Sequence, residues 1–216
     1  MKNDYAGFKK SYNIKLVLFI LLFILSTKGV LSQTHYVGLT YEPSLVTSVF
    51  SDIQHDTYPP TVHDFSSRLG NSFGMDYLLL SDSKSYGIKS GFYLIDNGYT
   101  EKIEKGDPAF SSRTDKIYYT YLSIPIEFYK LFNSFYFNIG PNFNYAIKGK
   151  REPGTGETKQ YSNNHFALGL KSEIGYRFEL NEMLNLKFGV FNRGFLFAEG
   201  NMNYGLLINI NYKINR

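Results

Sequence analysis

NMNYGLLININYKINR, residues 201–216, decides the fold. Met202, Tyr204, Leu206, Ile208, Ile210, Tyr212 and Ile214 share one parity, and Asn203, Gly205, Leu207, Asn209, Asn211, Lys213 and Asn215 share the other. Successive side chains of a strand point to opposite faces. The segment is therefore predicted to be a strand with one wholly apolar face and one face that is small or polar except at Leu207.

The same period of two recurs upstream. From Phe135 the apolar set is Phe135, Phe137, Ile139, Pro141, Phe143, Tyr145 and Ile147, opposite Tyr136, Asn138, Gly140, Asn142, Asn144, Ala146 and Lys148. From Phe166 it is Phe166, Leu168, Leu170, Ile174, Tyr176 and Phe178, interrupted by Ser172, opposite Gly169, Lys171, Glu173, Gly175, Arg177 and Glu179. Leu184, Leu186, Phe188 and Val190 oppose Asn185, Lys187, Gly189 and Arg193. Tyr118, Leu122, Ile124, Ile126 and Phe128 oppose Tyr119, Tyr121, Ser123, Pro125 and Glu127. Three noisier strands precede these. Val37, Leu39 and Tyr41 oppose Gly38, Thr40 and Glu42; Phe73, Met75, Tyr77 and Leu79 oppose Ser72, Gly74 and Asp76; Ile88, Phe92 and Leu94 oppose Lys89, Gly91 and Asn97. Eight strands and no helical periodicity predict an all-β fold.

The connections alternate. Long polar segments, roughly 47–67, 100–116 and 149–164, alternate with tight turns at Ser81-Asp82-Ser83-Lys84, near Leu131–Ser134 and at Asn181-Glu182. The last connection, near 198–201, is short. Long loops on one side and tight turns on the other are the pattern of outer-membrane barrels, with the turns in the periplasm.

The first 32 residues are set apart. Lys2, Lys9, Lys10 and Lys15 precede ten unbroken apolar residues, Leu16 to Leu25, and the segment ends Val30-Leu31-Ser32. These are the regions of a secretory signal, with cleavage expected before Gln33. The apolar run is too short to cross a bilayer, which takes about 20 residues. The domains expected are thus a cleaved signal peptide, 1–32, and a barrel, 33–216.

The leader carries five of the 23 Lys and Arg and one of the 19 Asp and Glu, so 18 of each sign remain after it. The remainder is formally neutral and offers nothing to nucleic acid. There is no cysteine, hence no disulfide and no thiol for a lipoprotein anchor.

Period two alone does not say which face is outside. The interior of an eight-stranded barrel is only just wide enough for its side chains, and the Phe, Tyr, Leu and Ile faces would overfill it. The opposite faces carry Gly and Asn. They also carry Glu127, Lys171, Glu173, Arg177, Lys187 and Arg193, whose opposite signs can pair in a lumen. The apolar face is therefore expected toward lipid. Backbone groups in hydrocarbon have no water to bond, so the sheet must close on itself. The expectation is an eight-stranded antiparallel up-and-down transmembrane β-barrel in the outer membrane, with Tyr204 and Tyr212 at the two aromatic girdles.

The run YLSIPIEFYK (Tyr121–Lys130) resembles the Tyr-Leu-x-Ile-Pro strand of PorT-like outer-membrane β-barrel proteins of Gram-negative bacteria. FYFNIGPNFNYAIKGK (Phe135–Lys150) is similar to the Gly-Pro strand that follows it there, SGFYLIDNGYT (Ser90–Thr100) to a strand ending in a Gly-Tyr corner, and VGLTYEPSL to the first strand. The resemblance spans 33–216. It implies an eight-stranded barrel and no catalytic residue; one founding member of that family is associated with protein secretion. Barrels of this kind usually end in an aromatic residue read by the insertion machinery, whereas this chain ends Ile214-Asn215-Arg216.

Little in the sequence points to chemistry. His55-Asp56 and His63-Asp64 fall in the first long segment, and His35 and His165 have no evident partner. No Ser, His and acid spacing matches a hydrolytic triad. Glu127 and Glu173 form either a carboxylate pair or part of a salt-bridged plug. Gly154 and Gly156 lack the Lys-Ser/Thr of a phosphate loop. No catalytic, cofactor-binding or metal residue is assigned, and no cofactor is expected. The expected role is non-enzymatic: a structural or interaction barrel whose long loops bind a partner or surface ligand, linked to secretion or envelope integrity. The alternatives are a small pore or transporter, an outer-leaflet enzyme acting on lipid or protein, and a soluble lipocalin-like binder. The partners expected are outer-membrane lipid, the barrel-insertion machinery and an envelope or secretion protein.

Overall fold

A computed structural model describes residues 34–48, 52–54, 61–81, 83–105, 113–154, 158–161, 166–195 and 201–214. The expected leader and its cleavage point lie outside them, as do His55, Asp56, His165 and Gly156.

The described chain is antiparallel sheet throughout. Its strands are β1 (Thr34–Ser48), β2 (Asp52–Gln54), β3 (Thr61–Ser66), β4 (Arg68–Leu80), β5 (Tyr86–Lys105), β6 (Arg113–Phe132), β7 (Phe135–Glu152), β8 (Lys159–Tyr161), β9 (Phe166–Glu179), β10 (Leu184–Phe195) and β11 (Asn201–Ile214). Eight of them close a ring in the order β1, β4, β5, β6, β7, β9, β10, β11, and β11 returns to β1 with His35 opposite Ile214 and Leu39 opposite Ile210. Closure leaves no barrel edge unpaired, as a bilayer requires.

Faces divide as their residue types dictate. Leu39, Phe73, Met75, Phe92, Leu206 and Ile210 point outward and are exposed, Leu206 by 61%. Asn138, Asn142, Asn203, Asn209 and Asn211 on the other parity are buried in the lumen, with Glu127, Lys171, Glu173, Arg177, Lys187 and Arg193. Exposed apolar surface of this extent belongs against lipid.

Phase breaks at one place. Thr120 faces Lys148 while Tyr121 faces Ala146, so Ile147 is an extra residue in β7. This bulge leaves Ile147 and Lys148 both exposed. Lys148, expected on the lumen face, is turned outward by it.

Pro43, Pro125 and Pro141 sit where ladders open. Pairing of β5 with β6 lapses between Ser90 opposite Ile126 and Tyr93 opposite Ser123, beside Pro125. Pairing of β6 with β7 lapses next to Pro141, and that of β1 with β11 at Glu42 and Pro43. Proline has no N–H to give a ladder. The Ser90 hydroxyl donates instead to the Pro125 carbonyl at 2.8 Å.

The tight turns keep to one end. Asn133 takes a left-handed φ of 55° between β6 and β7, and Lys84 one of 52° before β5. The Asn181 side chain accepts from the backbone N–H groups of Met183 and Leu184 at 2.9 and 2.8 Å, an Asx-type closure.

The other end differs from the sequence expectation. Segments read as loops continue as sheet: β5 runs to Lys105 and β6 starts at Arg113, each 20 residues long. A membrane-crossing strand needs only about 9–11 residues. Within the first long connection, β2 pairs with β3, and β3 pairs with the outer end of β5. Within the third, β8 pairs with the outer end of β7. A sheet ordered β2, β3, β5, β6, β7, β8 thus stands above one side of the barrel, while β10 stops at Phe195. These stretches carry polar residues on both faces, so period two gave no sign of them.

Candidate functional site

The lumen is filled in layers. In the middle lie buried charges and amides contributed by all eight barrel strands. Glu42 of β1 accepts from Lys171 of β9 at 2.5 Å and from Arg193 of β10 at 2.6 Å. Glu173 of β9 accepts from Lys171 at 2.5 Å, from Lys89 of β5 at 2.8 Å and from Asn138 of β7 at 2.6 Å. Glu127 of β6 lies 3.5 Å from both Lys89 and Lys171. Asp76 of β4 accepts from Thr40 at 2.5 Å, from Asn209 of β11 at 2.9 Å and from Tyr93 at 3.1 Å. Buried ionised groups are tolerable only when paired and hydrogen-bonded, and the ring of strands supplies those partners from across the lumen. The Glu127 and Glu173 carboxylates share Lys89 and Lys171, so they form the salt-bridged plug rather than a free acid/base pair.

Aromatic layers cap this network. Toward the long connections lie Tyr93, Tyr119, Tyr121 and Phe195, with Tyr121 and Phe195 centroids 5.3 Å apart. Toward the turns lie Tyr36, Tyr129, Tyr136 and Phe191, with Tyr129 and Tyr136 stacked at 5.9 Å. Tyr119, Tyr121 and Tyr136 stand on the lumen face of the sequence pattern, whereas Tyr36, Tyr93, Tyr129, Phe191 and Phe195 are not assigned to it. They fit because glycines make room: a Cβ at Gly74 would fall into the Tyr93 ring, and one at Gly189 would meet the Tyr136 hydroxyl. Lys187 lies between the layers without a hydrogen-bond acceptor among the described residues, its ammonium 4.7 Å from the Tyr129 ring centre.

The raised sheet is held by its own groups. Asp115 accepts from Arg151 Nε at 2.8 Å, from Arg113 at 3.1 Å and from the Gly154 N–H at 3.2 Å. Phe65 of β3 and Tyr99 of β5 meet edge to face at 5.3 Å. On the opposite face Arg68 lies 4.0 Å from the Tyr118 ring centre, and the Tyr118 hydroxyl donates to Glu152 at 2.9 Å. Glu152 also takes an ion pair from Lys150. That contact, with Tyr118 second, holds the Glu152 carboxyl below the ordinary carboxylate range. Gly98 marks the corner of β5, with φ of +152° and a Cβ position blocked by the Ile117 carbonyl.

His35 and His63, the described histidines, stand on different strands. His63 lies in β3 opposite Ile103 and Asp52, and Asp64 beside it is exposed. His35 pairs with the Tyr77 hydroxyl at the turn end. Among the described residues no group of three His, Cys, Asp or Glu side chains is placed to hold a metal ion.

Residues 32–207 match the family described as "Outer membrane protein beta-barrel domain". No curated protein matches the chain. Among solved structures it is similar to Ail, the attachment invasion locus protein of Yersinia pestis, with 10% identity over 85% of this chain and 100% of that one, TM-score 0.48. It is also similar to neisserial surface protein A, with 11% identity over 85% and 99%, TM-score 0.45. A third is OprG from Pseudomonas aeruginosa, with 13% identity over 85% and 96%, TM-score 0.43. The family match covers most of the chain and agrees with a closed barrel whose apolar face is outside: the chain is an outer-membrane protein and belongs to the outer membrane protein beta-barrel domain family.

Proposed function

We propose that this is a non-enzymatic interaction barrel of the PorT-like type, whose raised sheet binds an envelope or secretion protein outside the membrane. One observation carries the reading. The central carboxylates of the lumen are bonded to lysine, arginine and amide groups from other strands, whereas the β2, β3, β5, β6, β7, β8 sheet extends well past what a bilayer needs and ends in two short strands, β2 and β8. Short edge strands offer backbone donors and acceptors that a partner strand can pair with.

The test uses the full chain in its native membrane, with a photo-cross-linking residue at exposed Asp64 on β3 and, as a control, at Lys130 by the turns. The reading expects one defined protein adduct from position 64 and none from position 130. Equal patterns at both positions, or no adduct at 64 in a correctly inserted barrel, would overturn it.

A further inference from the structure

We propose that the outward face of the raised sheet, where it leaves the apolar band, is a docking strip for the phosphorylated headgroups of outer-leaflet glycolipid. It goes beyond the partner reading and stands without it.

Charge is sorted across this part of the sheet. Arg68, Lys116, Lys148 and Lys150 share the outward face with two acids, Asp96 and Glu152. Each acid is engaged: Asp96 lies 3.5 Å from Arg68, and Glu152 is paired with Lys150. The buried inward acids, Glu101 and Asp115, bond Arg151 instead. The outward face therefore keeps an excess of positive charge.

The strip also sits at headgroup height. Lys148 follows Ile147 and Tyr145 directly, both exposed apolar members of the lipid-facing band. One ladder step farther out come Lys150 and Tyr118, and one more brings Lys116 opposite Glu152. Of the two acids, Glu152 stands farthest from the bilayer, and Asp96, which shares the Lys148 row through Thr120, is taken by Arg68; Lys148, without an ion pair among the described residues, stands next to the band. Tyr118 supplies the interfacial aromatic. The bulge at Ile147 creates the arrangement, because regular phase would send Lys148 into the lumen. Farther out the charges become mixed, with Asp64 opposite Lys102. Basic side chains packed at a membrane surface attract anionic headgroups, each contributing about a fivefold factor in binding.

The experiment is native mass spectrometry of the folded chain released from neutral detergent. It is titrated with a bisphosphorylated glycolipid, with the same glycolipid stripped of phosphate, and with inorganic phosphate. Folding of every variant is checked by its unboiled gel mobility. The phosphorylated glycolipid should bind best, and Lys148→Gln should weaken it about fivefold. Lys116→Gln with Lys148→Gln should weaken it about 25-fold, and Lys213→Gln at the turn end should change nothing. Equal binding of the stripped glycolipid, an equal loss in K213Q, or displacement by inorganic phosphate alone would overturn the proposal.

Discussion

Lys89 on β5 and Glu173 on β9 meet across the lumen, the ammonium 2.8 and 3.0 Å from the two carboxylate oxygens, although β6 and β7 separate their strands along the sheet. Such a bond ties opposite walls of the barrel. Lys89→Met leaves Glu173, Glu127 and Asp76 with too little positive charge. Removing one partner of a buried pair costs about 3–5 kcal/mol. The double change K89M/E173M should recover part of that loss. Urea unfolding in micelles would measure both, and a single variant as stable as the parent would contradict the crosslink.

Lys187 should behave in the opposite way. It is buried against aromatic rings, and among the described residues no carboxylate bonds its ammonium. Lys187→Met keeps the length of the side chain and removes the desolvation of a charge that no bonded carboxylate among the described residues offsets. The same unfolding assay should show equal or higher stability. A loss as large as that of K89M would mean that the ammonium has a partner in the lumen.

The fit of Tyr93 depends on Gly74. A side chain there must displace the ring that donates to Asp76. Gly74→Val should cost about 1–3 kcal/mol as overpacking, and Gly74→Val with Tyr93→Ala should be less damaging than the sum of the two. Additive losses would show that the ring and the glycine are independent.

At the raised sheet, Glu152 is held low first by Lys150 and then by Tyr118. A carboxylate with a depressed folded pKa contributes stability above its unfolded value, ~4.3, and that contribution fades as pH falls through the folded value. Tyr118→Phe removes one donor, so Glu152 should titrate at higher pH than in the parent. Carboxyl chemical shifts followed into acid would show it, and coincident curves would contradict the assigned bond.

The barrel was legible in the sequence because lipid on one side and a crowded lumen on the other impose a strict period of two. Every lipid-facing residue of β11 from Tyr204 to Ile214 followed it. The polar face of the network was legible too: Glu127, Lys171, Glu173 and Arg193 were expected to pair in a lumen. Their partners were not, since Glu42 and Lys171 are 129 residues apart and meet only when the ring closes. Lys148 was misplaced because one bulge residue reverses parity, and nothing in an alternating string marks which residue is extra. The β2 and β3 strands lie outside the bilayer, where neither face must be apolar, so their pairing left no pattern.

Charged and aromatic side chains close this barrel, and we infer that it works from its outer surface. The most direct test is current through a planar bilayer containing the refolded full chain, with K89M/E173M measured alongside. Baseline current is expected for the parent, since charged and aromatic layers fill the lumen from end to end. Discrete, reproducible conductance steps from the parent protein would contradict it and move the function into the lumen.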